Sequence, residues 1–100
     1  MKTWYAARVR FESTVGDGPN PRPLYEESIR IILGESIEDA TARAEAIGRA
    51  AEHEYPNEAG EVVRWVFASV LEVQDLCESE LQDGMEVFST LFRGDEGQEV

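Results

Sequence analysis

From Trp4 to Phe11 apolar and polar positions alternate. Tyr5, Ala7, Val9 and Phe11 fall on one side and Trp4, Ala6, Arg8 and Arg10 on the other, the period of a strand with one face on a core. The run Val15–Pro23 holds Gly16, Gly18, Pro19, Pro21 and Pro23; it cannot continue a ladder and predicts a loop. A second strand is predicted over Leu24–Leu33, with Ile29, Ile31 and Leu33 inward. Glu26, Ser28 and Arg30 then share the outer face, where Glu26 opposes Arg8 or Arg10 across an antiparallel pair.

The period then lengthens. Ser36 and Asp39 place a side-chain acceptor and an anionic group at the free amides of a helix start. Ile37, Ala40, Ala44, Ile47 and Ala51 follow at spacings of three and four, which predicts a helix over Ile37–Glu52 whose small residues let it lie close to a sheet. Gly48 reads as a weak point, about 1 kcal/mol worse than alanine. Tyr55-Pro56 ends the helical pattern, and Asn57-Glu58-Ala59-Gly60 predicts a turn.

A third strand is predicted over Glu61–Gln74 with both alternating sets apolar. Val63, Trp65, Phe67 and Leu71 form one set, and Val62, Val66, Ala68 and Val70 the other; such strands are normally covered on both faces. A bulge near Ala68 or Ser69 would exchange Arg64 for Trp65 between the faces. An acidic connection, Asp75–Gly84, leads to a fourth strand over Met85–Phe92, and Gly94–Val100 reads as a frayed polar tail. The predicted fold is α+β: a two-layer sandwich in which a four-stranded, mainly antiparallel sheet of order β-β-α-β-β carries one long helix on one face. One hundred residues make a single domain, 1–100.

Several of these segments are also familiar as a set. Trp4-Tyr5-Ala6-Ala7, Phe11-Glu12-Ser13, Leu24-Tyr25-Glu26-Glu27-Ser28-Ile29, Gly60-Glu61 with Trp65 and Phe67, Val70-Leu71-Glu72-Val73 and Asp83-Gly84-Met85-Glu86-Val87-Phe88-Ser89 together resemble the uncharacterised bacterial domain-of-unknown-function 4288 family. The resemblance spans Lys2–Arg93. It implies a free-standing bacterial cytosolic protein and brings no activity or functional residue with it.

Charge narrows the choice of partner. The net charge is -12, and it is uneven: Met1–Gly34 holds 5 basic and 4 acidic residues, whereas Glu35–Val100 holds 4 basic and 17 acidic. Such a chain repels nucleic-acid phosphates and anionic membranes and favours a basic or neutral protein. With 42% apolar residues it can still form a core. A single cysteine, Cys77, forms no internal disulfide, the start Met1-Lys2-Thr3-Trp4 lacks a secretory apolar run, and no stretch reaches membrane-span length. A cytoplasmic, reducing location is expected.

Catalytic constellations are sparse. His53, between Glu52 and Glu54, reads as a surface histidine at the helix end, with no serine or cysteine near it in sequence to activate. Cys77 sits among Asp75, Glu78 and Glu80, away from the electropositive surroundings of reactive thiols, and reads as a small packing residue. Asp75, Glu78, Glu80, Asp83 and Glu86 lack the alternation and central glycine of a calcium loop. Gly16-Asp17-Gly18-Pro19 lacks the lysine and the following helix of a phosphate loop. No cofactor, no metal and no enzymatic activity are expected.

Surface chemistry is what remains. The sheet face away from the helix is expected to present Trp4, Arg8, Arg10, Arg30 and Arg64 beside Val62 and Val66, a mixture rich in the residue types that dominate interfaces. The plainer alternative pairs these arginines with Glu12 and Glu26 and tucks Trp4 under a loop. The favoured function is a small acidic protein-binding module of the inhibitor or immunity type, docking through Trp4, Arg8, Arg10, Arg64, Glu78, Glu80 and Asp83 on a basic partner. The alternative is a dimeric regulatory or ligand-sensing domain that self-associates through its sheet.

Overall fold

The computed structural model describes residues 1–17, 23–94 and 98–99. Its elements are β1 (Thr3–Val15), β2 (Tyr25–Gly34), α1 (Ile37–Ala50), β3 (His53–Pro56) and β4 (Val62–Asp75), followed by two-residue strands β5 (Phe92–Arg93) and β6 (Gln98–Glu99). The first four strands form one antiparallel sheet in the order β2-β1-β4-β3. The α+β class and the β-β-α-β-β order expected from the pattern are therefore present.

The strands that complete that order differ from the expected ones. β3 was not predicted: it is four residues long, directly follows the helix and ends in proline, which is compatible with an edge position. Its hairpin to β4 closes on Asn57, whose Oδ1 accepts from the amides of Ala59 at 3.0 Å and Glu61 at 2.9 Å. The predicted strand over Met85–Phe92 is irregular as far as Leu91. Of the expected loop Val15–Pro23, Val15 closes β1 and residues 18–22 lie outside the described set. Of the expected frayed tail, Gln98–Glu99 pairs with Phe92–Arg93, and residues 95–97 and 100 lie outside the described set.

The helix starts where its cap chemistry predicts. Ser36 Oγ accepts from the Asp39 amide at 3.0 Å, and Asp39 Oδ2 accepts from the Glu35 amide at 2.9 Å, so two otherwise free donors are satisfied. Ala40, Ala44 and Gly48 are its buried residues. A Cβ on Gly48 would lie 2.4 Å from Cδ1 of Phe67, so this glycine lets helix and sheet approach and is not merely a weak point. Ile37, expected on the buried stripe, is 46% exposed.

β1 supplies the core: Tyr5, Ala7, Val9 and Phe11 are buried with Ile32, Ala40 and Ala44. The β1–β2 register sets Tyr5 opposite Ile32 and Ala7 opposite Arg30, so Ile32 joins the core while Ile29, Ile31 and Leu33 face away from the helix. This reverses the expected assignment. A shift of one residue flips every side chain of a strand, and Ile31-Ile32-Leu33 is apolar in either phase.

β4 is bulged twice, opposite Arg8/Val9 and Arg10/Phe11. The extra residues are Leu71, between the pairs at Val70 and Glu72, and Ala68, between those at Phe67 and Ser69. Trp65, Phe67, Val70 and Val73 consequently pack on the core side, replacing the expected set that contained Leu71. Arg64 does not change places with Trp65, because both bulges lie beyond them in the strand.

Candidate interaction surface

Opposite the helix, the registers gather Trp4, Ala6, Arg8 and Arg10 from β1, Ile29 and Ile31 from β2, and Arg64, Val66 and Glu72 from β4. Trp4, Arg8, Arg10 and Arg64 thus share one face, as the alternation predicts. Arg30 does not. It lies on the helix side, its guanidinium carbon 5.7 Å from the Phe11 ring centroid and its Nε donating to Ser28 Oγ at 3.3 Å.

Each arginine on this face finds a carboxylate directly across a strand pair. Arg10 is opposite Glu27 and donates to it through Nε at 3.1 Å; Arg64 is opposite Glu54 and donates at 3.1 Å. Arg8 is opposite Glu72, with 4.0 Å between the charged atoms. Glu12 and Glu26, the partners of the plainer alternative, form none of these three pairs. Exposed pairs of this kind contribute about 0–1 kcal/mol each, so they fix register and cancel positive charge more than they stabilise.

The face is also partly roofed, which corrects the expectation that it stands open. The Arg8 guanidinium carbon lies 4.6 Å from the Phe88 ring centroid, which carries the segment after β4 across this side. Trp4 anchors the start of that segment: its amide donates to the Glu78 carbonyl at 2.8 Å, and its carbonyl accepts from the Leu76 amide at 2.9 Å. Ala6 is 0% exposed. Met85, Val87 and Phe88 are half-buried, whereas Glu78, Glu80, Asp83 and Glu86 are exposed.

Those acids are not matched by bases. Among the described residues the ion pairs are Arg8–Glu72, Arg10–Glu27, Arg49–Glu45 and Arg64–Glu54, so Glu78, Glu80 and Asp83 enter none. Glu78, Asp83, Met85 and Glu86 line an open depression of about 340 Å³. No group of three or more metal-ligating side chains occurs among the described residues. Cys77, expected as a packing residue, is exposed in a left-handed turn (φ 59°), its amide donating to Asp75 Oδ1 at 2.7 Å.

A second hollow, of about 270 Å³, lies where the helix passes into β3 and is lined by Glu52, His53, Glu54, Arg64, Trp65 and Val66. His53 is exposed, as expected, but it opens β3 and stacks on Tyr55 with ring centroids 6.1 Å apart. Its Nδ1 is 3.1 Å from the Ala51 carbonyl oxygen. Glu52 accepts from the Phe67 amide at 2.8 Å, and Glu54 is taken by Arg64. Sequence reasoning missed this hollow because β3 is too short to show a period. The clue available was proline within an otherwise β-compatible tetrapeptide.

In comparison with known proteins, a family model described as Domain of unknown function (DUF4288) matches residues 4–89. No curated protein and no solved structure matches the chain. Among the described residues no helix is long and apolar enough to cross a membrane.

Proposed function

The chain belongs to the DUF4288 family, and from that premise, which brings no activity with it, we propose that the protein is a small acidic cytosolic module that binds a basic protein, in the manner of an inhibitor or immunity protein. The observation that carries the reading is an imbalance of pairing. Arg8, Arg10 and Arg64 are each neutralised within the sheet, while Glu78, Glu80 and Asp83 stand exposed and unpaired among the described residues. The charge left uncompensated beyond β4 is therefore negative, over a segment held to Trp4 by two backbone hydrogen bonds. Such a surface speeds encounter with a basic partner and suppresses acidic ones.

The binding surface proposed here is the acidic segment with Trp4 at its base, and the paired arginines support it without forming the contact. No catalytic step and no cofactor belong to the proposal. It is tested by capture from a lysate of the source cells, comparing the wild-type chain with a Glu78→Gln, Glu80→Gln, Asp83→Asn variant at low salt and at about 0.15 M, where the screening length is about 8 Å. The expected result is a basic protein retained by the wild type, less by the variant and less at the higher salt. Retention of no basic protein at either salt, or equal retention by the variant, overturns the reading.

A further inference from the structure

The two outer strands of the sheet are built differently. β3 has four residues and ends in Pro56, the short, proline-bounded form that discourages strand addition. β2 has ten residues and contains no proline or lysine, and it pairs with β1 over its whole length without a register break. Nothing blunts it. The Ser13 amide donates to the Leu24 carbonyl at 2.9 Å, so the even-numbered residues of β2 turn their backbone groups to β1. By the alternation of an antiparallel ladder, Tyr25, Glu27, Ile29 and Ile31 turn theirs outward, and among the described residues β2 has no other neighbour in the sheet. The side chains of Tyr25, Ile29 and Ile31 are 50%, 49% and 41% exposed.

We propose that a second copy of this chain pairs with that edge, β2 against β2, antiparallel about a two-fold axis at Ser28, to give one continuous sheet across the dimer. Two conditions select the register. The outward-pointing residues must form the hydrogen-bonded pairs, which requires a centre on a residue and not between two. The charges must also match. Centred on Ser28, Tyr25 meets Ile31 of the second copy and Glu27 meets Ile29, and these are the hydrogen-bonded pairs. Glu26 then meets Arg30 of the second copy, twice by symmetry, at positions without ladder bonds, where opposed side chains come closest. Centring on Glu27 would set that carboxylate against itself, and centring on Ile29 would set Glu26 against Ile32. The contact is isologous and closes at two copies. It is independent of the acidic segment, and the net charge of -12 per copy opposes it at long range, so screening strengthens it from low to moderate salt.

Sedimentation equilibrium of the purified chain over a concentration series, at about 0.15 M salt, tests the association. The register is tested by charge exchange. Glu26→Arg and Arg30→Glu each turn two attractive cross-strand pairs into repulsive ones and are expected to weaken dimerisation about tenfold or more, while the double exchange restores it. Ile29→Pro removes an outward amide without removing a bond to β1, and is expected to leave a folded monomer by circular dichroism. A single species of 11.2 kDa at every concentration overturns the proposal. So does a dimer that the charge exchanges leave unaltered, since copies meeting elsewhere would not sense positions 26 and 30.

Discussion

On the helix side of β1, Tyr5, Ala7, Val9 and Phe11 are buried, and Phe67 stands so near Gly48 that no side chain fits between them. On the other side, Arg8, Arg10 and Arg64 each meet a carboxylate across a strand, and Phe88 lies over Arg8. The first side depends on shape, where a methyl group too many or too few is felt. The second depends on exchangeable polar contacts in partial solvent, where a single loss changes little. A surface of the second kind can change its residues and its partner without endangering the fold.

The contrast is most directly broken by mutation of its extremes. Phe11 is buried and meets Phe67 edge-on with centroids 6.4 Å apart; Phe11→Ala is expected to cost about 3–5 kcal/mol, read as a lowered urea midpoint. Gly48→Ala sharpens the argument because helix propensity alone would stabilise by about 1 kcal/mol. With Cβ placed 2.4 Å from Phe67 Cδ1 and 3.2 Å from its Cγ, the expected net result is a loss of about 1–3 kcal/mol. A gain on denaturation would show that the ring moves freely and that the helix side is less tightly fitted.

On the opposite face, a double-mutant cycle of Arg10→Ala and Glu27→Ala is expected to give a coupling of about 0.2–1 kcal/mol. A coupling of several kcal/mol would erase the distinction between the faces. The smallest effect concerns the acids beyond β4: moderate salt at neutral pH is expected to raise the melting temperature by a few degrees, about 1 kcal/mol or less, as repulsion among Glu72–Glu99 is screened. A flat or falling response in differential scanning fluorimetry would mean that the cross-strand pairs outweigh that repulsion.

Not all elements were equally legible from sequence. β1 announced its faces because Arg8 and Arg10 interrupt the apolar set without ambiguity. In β2 the phase was hidden by three consecutive apolar residues, and in β4 two bulges shifted the alternation twice in one strand. Met85–Phe92 mimicked a strand because Met85, Val87 and Phe88 are the half-buried positions of an irregular segment; chain lying against a surface acquires some alternation without any ladder. Of the candidate surface, Trp4, Arg8, Arg10 and Arg64 were placed together correctly. Arg30 was misplaced for the same reason as Ile29 and Ile31, since one register sets all three.

Local chemistry was sufficient for the helix start at Ser36, the turn at Asn57, the alternation of β1 and the acidity of the second half of the chain, because each depends on residues close together in sequence or on composition alone. Strand register, the two bulges, the fit of Gly48 against Phe67 and the passage of Phe88 over Arg8 depend on contacts between residues far apart in the chain. Their energies arise only when distant surfaces meet, so no window of sequence contains them.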